Sequence, residues 1–432
     1  MKILVAGAGH GGLAAAGLLA KQGHSVTVFE REGEAMLGHD WTDIFNLACF
    51  SEAGIPLPPA HEYEPACEMT FFNPACTMAI RAYTPMEKST ESKMERRDIL
   101  RHLIAFARGG GAELVFHATV EHPLLDGKRV AGLVVNGREE LADLVIDAAG
   151  MNSPLRTQLP AELGVVRQFK RDEYFTIFRA FYNSTGKTGN EHPFCVYFLP
   201  MGRRGVAWFA SEGDYVDLMC GSFEDTDAAY AEQVRRHCLA NHPDMGDDIL
   251  RGGSSAKVPV RRPISRMVAD GYAAVGDSAG MTVPLNGSGI TNSIRAGRLL
   301  AETVMASSGT CTAAQLWPYQ VAYMHSCGAA CASLDLFKRF MLTIDPGVVD
   351  FLFEKQILTA ADMNKARTGQ EITFTLPDLL RRGLRGAGKP SAMLGLAKTF
   401  AKSQKIKRRA MNIPAAYDEA KVLRWAKKYD EI

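Results

Sequence analysis

The sequence predicts an α/β fold: a Rossmann-like domain with a β-meander, an inserted antiparallel-sheet domain and a C-terminal helical region. Three observations predict it. Residues 2–6, "KILVA", are an apolar run that meets "GAGHGG", passes into an Ala- and Leu-rich stretch over 11–22 and returns as "SVTVFE" at 25–30. Strand, helix and strand in that order make a βαβ unit on a parallel sheet. Far downstream, "GDSAGMTVPLNGSGITNSIRAG" from Gly276 to Gly297 again leads a glycine-rich turn into a helical pattern. Between the two, segments 66–84 and 165–220 are aromatic-rich and alternating, as in "DEYFTIFRAFYN", which reads as strands of a second, antiparallel unit.

The remaining elements follow in order. "RDILRHLIAFA" over 97–107 puts Leu100, Leu103, Ile104 and Ala107 at helical spacing on one face. "AELVFHATV" reads as a strand, and "LLDGKRVAGLVVNGREEL" carries DG and NG between apolar runs, the signal of hairpins and so of a small meander. It feeds a buried strand at 143–148, and from about 306 onward the pattern is helical. The boundaries predicted are 1–65, 90–160 and 265–305 for the discontinuous cofactor domain, 66–89 and 161–264 for the substrate domain, and 306–432 for the helical region. A chain of 432 residues is the length of two to three domains at ~150 residues each.

Composition narrows the class. Hydrophobic content of 47% and charged content of 22% are those of an ordinary globular protein. A net charge of +1 gives no argument for nucleic acid. No apolar run reaches the ~18 residues of a spanning helix, and the N-terminus enters a strand directly rather than a signal peptide. The nine cysteines include no CxxC pair; Cys327 and Cys331 are spaced CxxxC. That usage reads as reduced thiols in the cytoplasm, with no metal site. One segment stands apart: Arg381 to Arg409 holds ten Lys or Arg and no acid, interleaved with Leu384, Met393, Leu394, Leu396, Phe400 and Ile406. Two readings are open, peripheral contact with an anionic membrane through 381–409 or a helix packing its apolar side on the body of the protein. No aromatic ladder accompanies the charges, which argues against single-stranded nucleic acid.

The first glycine motif is Gly7-x-Gly9-x-x-Gly12, directly after a strand and before a helix. The first glycine permits the tight turn, the second lets backbone approach a pyrophosphate, and the third lets helix and strand pack closely. The pyrophosphate then meets free N–H groups at the helix N-terminus. Glu30, followed by Arg31, ends the second strand, where an acid binds ribose hydroxyls. The motif alone does not separate NAD from FAD.

The downstream stretch does. "YAAVGDSAG", then Pro284, Gly287, Gly289 and a helix opening near Ile290, resembles the flavoprotein superfamily with the glutathione-reductase-type FAD fold. Within it the pattern is most like the geranylgeranyl reductase family. The resemblance implies an FAD-binding domain, with Asp277 on the ribityl chain and the second helix aimed at the flavin ring. It also implies that Arg97, in an R-x-x-L pattern, reaches the ribityl–phosphate region and that the Val120 backbone meets adenine. The chain departs from the flavin hydroxylases, having Ala149 where they carry an acid and Gly280 where they usually carry His. The halogenase W-x-W-x-I-P motif does not occur, and "FCVYFLPMGRRGVAW" echoes the reductases' middle motif only at Tyr197 and Pro200.

The loop after Glu30 carries His39, Asp40 and Trp41. In this fold it returns toward the flavin, so a His–Asp pair there could pass a proton to a substrate carbon with Trp41 packed on ring or substrate. The alternative is that His39 and Asp40 order a turn while Trp41 fills the core. These readings converge on an FAD-dependent oxidoreductase, cytoplasmic or peripheral to a membrane, that reduces a C=C bond of a hydrophobic or isoprenoid-like small molecule. No second Rossmann motif and no iron–sulfur spacing is present, so NAD(P)H or a reduced protein is expected as a transient electron donor. The alternatives are a flavin-dependent monooxygenase and a non-catalytic prenyl-cargo escort of the same fold.

Overall fold

The computed structural model describes residues 1–187, 192–307 and 309–432. It opens with β1 (Lys2–Ala6), α1 (His10–Lys21) and β2 (Ser25–Phe29). These belong to a six-stranded sheet ordered Val268–Ala269, Tyr272–Ala274, Leu144–Asp147, β1, β2, Glu113–Val115, parallel except for the first pair. Ile3, Val5 and Ala6 are fully buried, because α1 packs on the sheet and the strand Arg129–Val135 also packs against it; a strand covered on both faces is apolar throughout rather than alternating. α1 lies between the sheet and helix Ile290–Met305, which explains its small residues. A Cβ on Gly297 would stand 2.4 Å from the Gly11 carbonyl oxygen, so the two helices cross backbone to backbone.

The run "AELVFHATV" is not one strand. It splits into Glu113–Val115, in the main sheet, and Val120–Asp126, which opens the meander. The break falls at His117, whose φ of 56° is left-handed. There the chain folds round the end of β2, with the Ala118 N–H donating to the Glu30 carbonyl at 2.8 Å. Val120–Asp126, Arg129–Val135 and Arg138–Leu141 then form the antiparallel meander, turning at Gly127 and at Asn136–Gly137.

The second large sheet has seven strands, ordered Met245–Pro259, Tyr174–Ser184, Tyr215–Ser222, Gly205–Glu212, Phe194–Phe198, Glu68–Phe72, Ala79–Tyr83. It is antiparallel except at one place: Phe194–Phe198 runs parallel to Glu68–Phe72. Those two strands come from separate insertions, so no hairpin turn fixes their relative direction. The part of segment 165–220 at 188–191 lies outside the described residues. Strand Met245–Pro259 left little mark in the sequence, because it is mostly exposed and broken by Gly252 and Gly253 at positive φ.

Seven α-helices occupy the C-terminal region among the described residues, from Ala313–Tyr323 to Glu419–Asp430; Ser308, before them, is outside the described residues. Helix Pro390–Met411 buries Ile406 and Ala410 against the body, so the later part of the basic segment is a packing helix. No helix among the described residues is long and apolar enough to cross a membrane. Helix Ala329–Thr343 and its neighbours face the seven-stranded sheet across an aromatic layer that includes Phe71, Phe175, Phe181 and Phe353.

Candidate functional site

Both glycine stretches wall one cavity of about 290 Å³. Gly9, His10 and Gly11 approach from the start of α1; Gly276, Asp277, Gly287, Gly289 and Ile290 approach from the second stretch. Two helix N-termini therefore present N–H groups to one space, the arrangement that favours an anionic ligand. Gly7 holds a φ of 91°, and a Cβ there would meet the Ala148 carbonyl oxygen at 2.7 Å; only glycine makes this turn. Glu30 shapes the loop from behind: its carboxylate accepts the Ala8 N–H at 2.8 Å and the Glu32 N–H at 3.0 Å.

The cradle carries unsatisfied chemistry. His10 Nε2 is buried without a partner. Burial and the Arg96 guanidinium hold its pKa down from 6.5 to about 4, so the ring is neutral. Asp277 shifts the other way: burial raises its pKa, against a hydrogen bond from Thr282 Oγ1 at 3.1 Å and the charge of Arg96. An orphaned imidazole at the start of α1, a glycine turn that tolerates no side chain and a second helix start across the gap fit a dinucleotide with a long polar linker, as FAD is.

The loop residues separate. His39 and Trp41 line the cavity, their rings stacked at 4.1 Å. Burial, then Arg96, lowers the His39 pKa. Asp40 turns away, toward Arg251 at 3.2 Å and Arg97 at 3.8 Å, and does not join His39 in a pair facing the cavity. The acid of this segment that lines the cavity is Asp43. Trp41 is 2% exposed with its indole N–H unpartnered.

Arg97 lies outside the lining, with its side chain 45% exposed. Its neighbour Arg96 lines the wall instead, donating twice to Asp43 at 2.6 Å. Strand Glu91–Glu95 pairs with Thr42–Asn46, and the Arg96 N–H donates to the Trp41 carbonyl at 2.9 Å, which fixes the register that turns Arg96 inward. Gly7, Gly12, Glu30, Arg31 and Val120 stand behind or beside the cavity rather than in its lining. Arg31 pairs with Glu32 at the surface, and Val120 opens the meander. At the position of the absent hydroxylase acid, Ala149 donates its N–H to Asp147, which also accepts from Ser153 and Tyr272. That carboxylate is fully buried and structural.

A second cavity, about 210 Å³, continues from the first. Trp41, Asp43, Arg96, Arg179, Trp208, Gly287 and Arg367 line both. Beyond them the walls are Phe71, Phe175, Ile177, Phe198, Met219, Phe337 and Met341, with Pro284 on the near side. At the junction, Arg179 and Asp217 form a buried ion pair with bonds of 2.9 and 2.5 Å. Arg179 also donates to the Thr42 carbonyl at 2.6 Å and to Thr42 Oγ1 at 2.8 Å, so the seven-stranded sheet is tied to the loop that carries Trp41. Sequence reading missed Asp43, Arg96, Arg179, Asp217 and Arg367. Only His10 had a visible signal, a bulky polar residue inside the glycine motif.

Residues 88–303, half of the chain, match the family model described as FAD dependent oxidoreductase, and residues 5–43 match an NAD(P)-binding Rossmann-like domain. The digeranylgeranylglycerophospholipid reductase of Sulfolobus acidocaldarius is 22% identical over all of this chain and 96% of its own. Among solved structures, a geranylgeranyl bacteriochlorophyll reductase-like protein of Thermoplasma acidophilum superposes with a TM-score of 0.71 at 17% identity, over 92% of this chain and 98% of that one. The flavin-dependent brominase Bmp2 superposes with 0.62 at 14% identity, over 90% and 100%. At such identities the two structures show a shared fold, not a shared reaction. The family match and the cavity between the two glycine stretches lead to one conclusion: the chain belongs to the FAD dependent oxidoreductase family and is an enzyme.

Proposed function

We propose that the protein reduces a carbon–carbon double bond of a hydrophobic, isoprenoid-like substrate. The observation that carries this reading is the junction of the two cavities: an apolar, aromatic-walled pocket opens directly onto the space between the glycine stretches. The similarity to reductases named for geranylgeranyl lipids supports it.

In this reading Gly7, Gly9 and Gly12 admit a pyrophosphate to the start of α1, Glu30 takes a ribose and Asp277 the ribityl chain, with Arg96 rather than Arg97 beside it. FAD held there would supply two-electron, hydride-level reduction of the alkene, with NAD(P)H or a reduced protein as the source of its electrons. Trp41 and Phe71 hold the chain of the substrate away from water. His39 handles the proton for the second carbon. Because burial and Arg96 depress its pKa, turnover limited by that proton falls as pH rises.

The test is anaerobic. Chemically reduced holoenzyme is mixed with a geranylgeranyl-bearing lipid without oxygen; reoxidation of the flavin and a saturated product are expected. His39→Ala should slow this step with FAD content and reduction by the donor unchanged, while Asp40→Asn should leave it near wild type. Turnover that requires oxygen, with an oxygen atom in the product, overturns the proposal in favour of a monooxygenase.

A further inference from the structure

Helix Leu376–Arg385 is held from one side and bare on the other. Arg382 turns inward, donating to Asp362 at 2.7 Å and to the Ile357 carbonyl, its guanidinium 4.5 Å from the Phe374 ring centre. Outward, Leu379, Leu380 and Leu384 are 40%, 63% and 80% exposed. Leu380 and Leu384 lie one turn apart, as do the exposed Arg381 and Arg385 beside them. Leu394, early in the next helix, is 55% exposed. A folded protein does not ordinarily leave leucines of one helix face this bare unless something covers them.

Two observations say what the cover is. Leu384 and Leu394 sit in the stretch from Arg381 to Arg409 that carries ten basic residues and no acid, with Leu379 and Leu380 directly before it, so the partner is apolar beneath and anionic at its surface. The same elements also wall the apolar cavity: Arg382 and Leu396 line it, together with Ile372 and Phe374 just before the first helix. We propose that helix Leu376–Arg385 with the start of helix Pro390–Met411 docks on an anionic lipid bilayer, setting the cavity wall against the membrane from which a long-chain substrate is drawn. Leucines enter the headgroup boundary while Arg381 and the lysines of the second helix meet lipid phosphates. The purpose of the contact rests on the lipid-like substrate proposed above; the chemistry of the surface does not.

The test uses the full-chain holoprotein and sedimentation with vesicles, one set of phosphatidylcholine alone and one of phosphatidylcholine and phosphatidylglycerol in equal parts. Binding to the mixed vesicles, weakened by salt, is expected. A Leu380→Ser/Leu384→Ser double variant should bind them at least about tenfold less well, with FAD content and thermal midpoint retained and detergent-dispersed substrate turned over at the wild-type rate. Arg381→Gln should weaken the anionic preference. Vesicle binding equal in wild type and double variant, or none by either, overturns the proposal. So does a wild-type dimer that the double variant splits without any change at vesicles, which would assign the face to a second copy. Vesicle binding that behaves as expected in a protein that reduces no alkene supports the docking surface and removes only the substrate reading.

Discussion

His10 and His242 show how single residues record the cost of a buried polar ring. His10 faces the cavity from the start of α1 with Nε2 unpartnered; His242 lies fully buried, stacked on Phe209 at 4.2 Å with Nε2 2.8 Å from the Tyr197 hydroxyl. Burial depresses both pKa values from 6.5 to about 4. Between those limits the unfolded chain binds protons that the folded chain refuses. The stability tied to each ring is therefore complete above pH 6.5 and lost as pH falls toward 4, at a slope of up to about 1.4 kcal/mol per pH unit for each histidine. Urea midpoints of the apoprotein, followed from neutral to mildly acidic pH, should fall less steeply in His242→Gln and in His10→Gln than in wild type. An unchanged slope in both variants would show that the acid sensitivity comes from other groups.

At the scale of elements, the crossing of α1 and helix Ile290–Met305 sets the cavity's width. Gly297→Ala would place a methyl 2.4 Å from the Gly11 carbonyl oxygen and 3.1 Å from Ala14 Cβ. Backbone cannot yield as a flexible side chain does, so the helices must part, at a cost of about 1–3 kcal/mol. Parting them also moves both helix starts that face the cavity, so FAD affinity should drop with stability. Gly383 is the contrast. It lies inside helix Leu376–Arg385, where a methyl at its Cα would have nothing within 4 Å, and Gly383→Ala should stabilise by roughly 0.5–1 kcal/mol. Urea unfolding of both variants checks the pair; equal effects at the two sites would refute the close-crossing account.

For the whole molecule, the candidate site joins segments far apart in the chain. The cavity is walled by Gly9 and His10 at one end of the sequence and by Asp277, Gly287 and Ile290 from the other stretch. A ligand long enough to touch both adds its binding energy to the fold. FAD should raise the thermal midpoint of the apoprotein, by about 2.7 kcal/mol of stability at a hundredfold excess over its dissociation constant. FMN lacks the second phosphate and the adenosine that the start of α1 and Glu30 hold in the proposed reading, and should raise it far less. Equal stabilisation by FMN would mean that the first glycine stretch holds no part of the ligand. The tie from Arg179 to Thr42 makes the cavities one structural unit with the second sheet.

What the sequence alone determined is whatever local spacing controls. "KILVAGAGHGG" and "VPLNGSGI" imposed their turns because glycine spacing, strand period and helix period act over a few residues. The helix pattern at 97–107, the DG and NG hairpins and the helical C-terminal region were legible for the same reason. Tertiary structure decided which side chain of a local cluster faces the site. Nothing in "MERRDIL" distinguishes Arg96 from Arg97, and the pairing of Glu91–Glu95 with Thr42–Asn46 turned the first inward. The same strand pairing brought Asp43 to the wall and left Asp40 on Arg251. Arg179, Asp217 and Arg367 reach the junction from distant segments, and no local pattern marks them. The basic segment divided likewise: Ile406 found a core to enter, whereas Leu384 and Leu394 did not, because burial belongs to the surface a helix meets rather than to the helix.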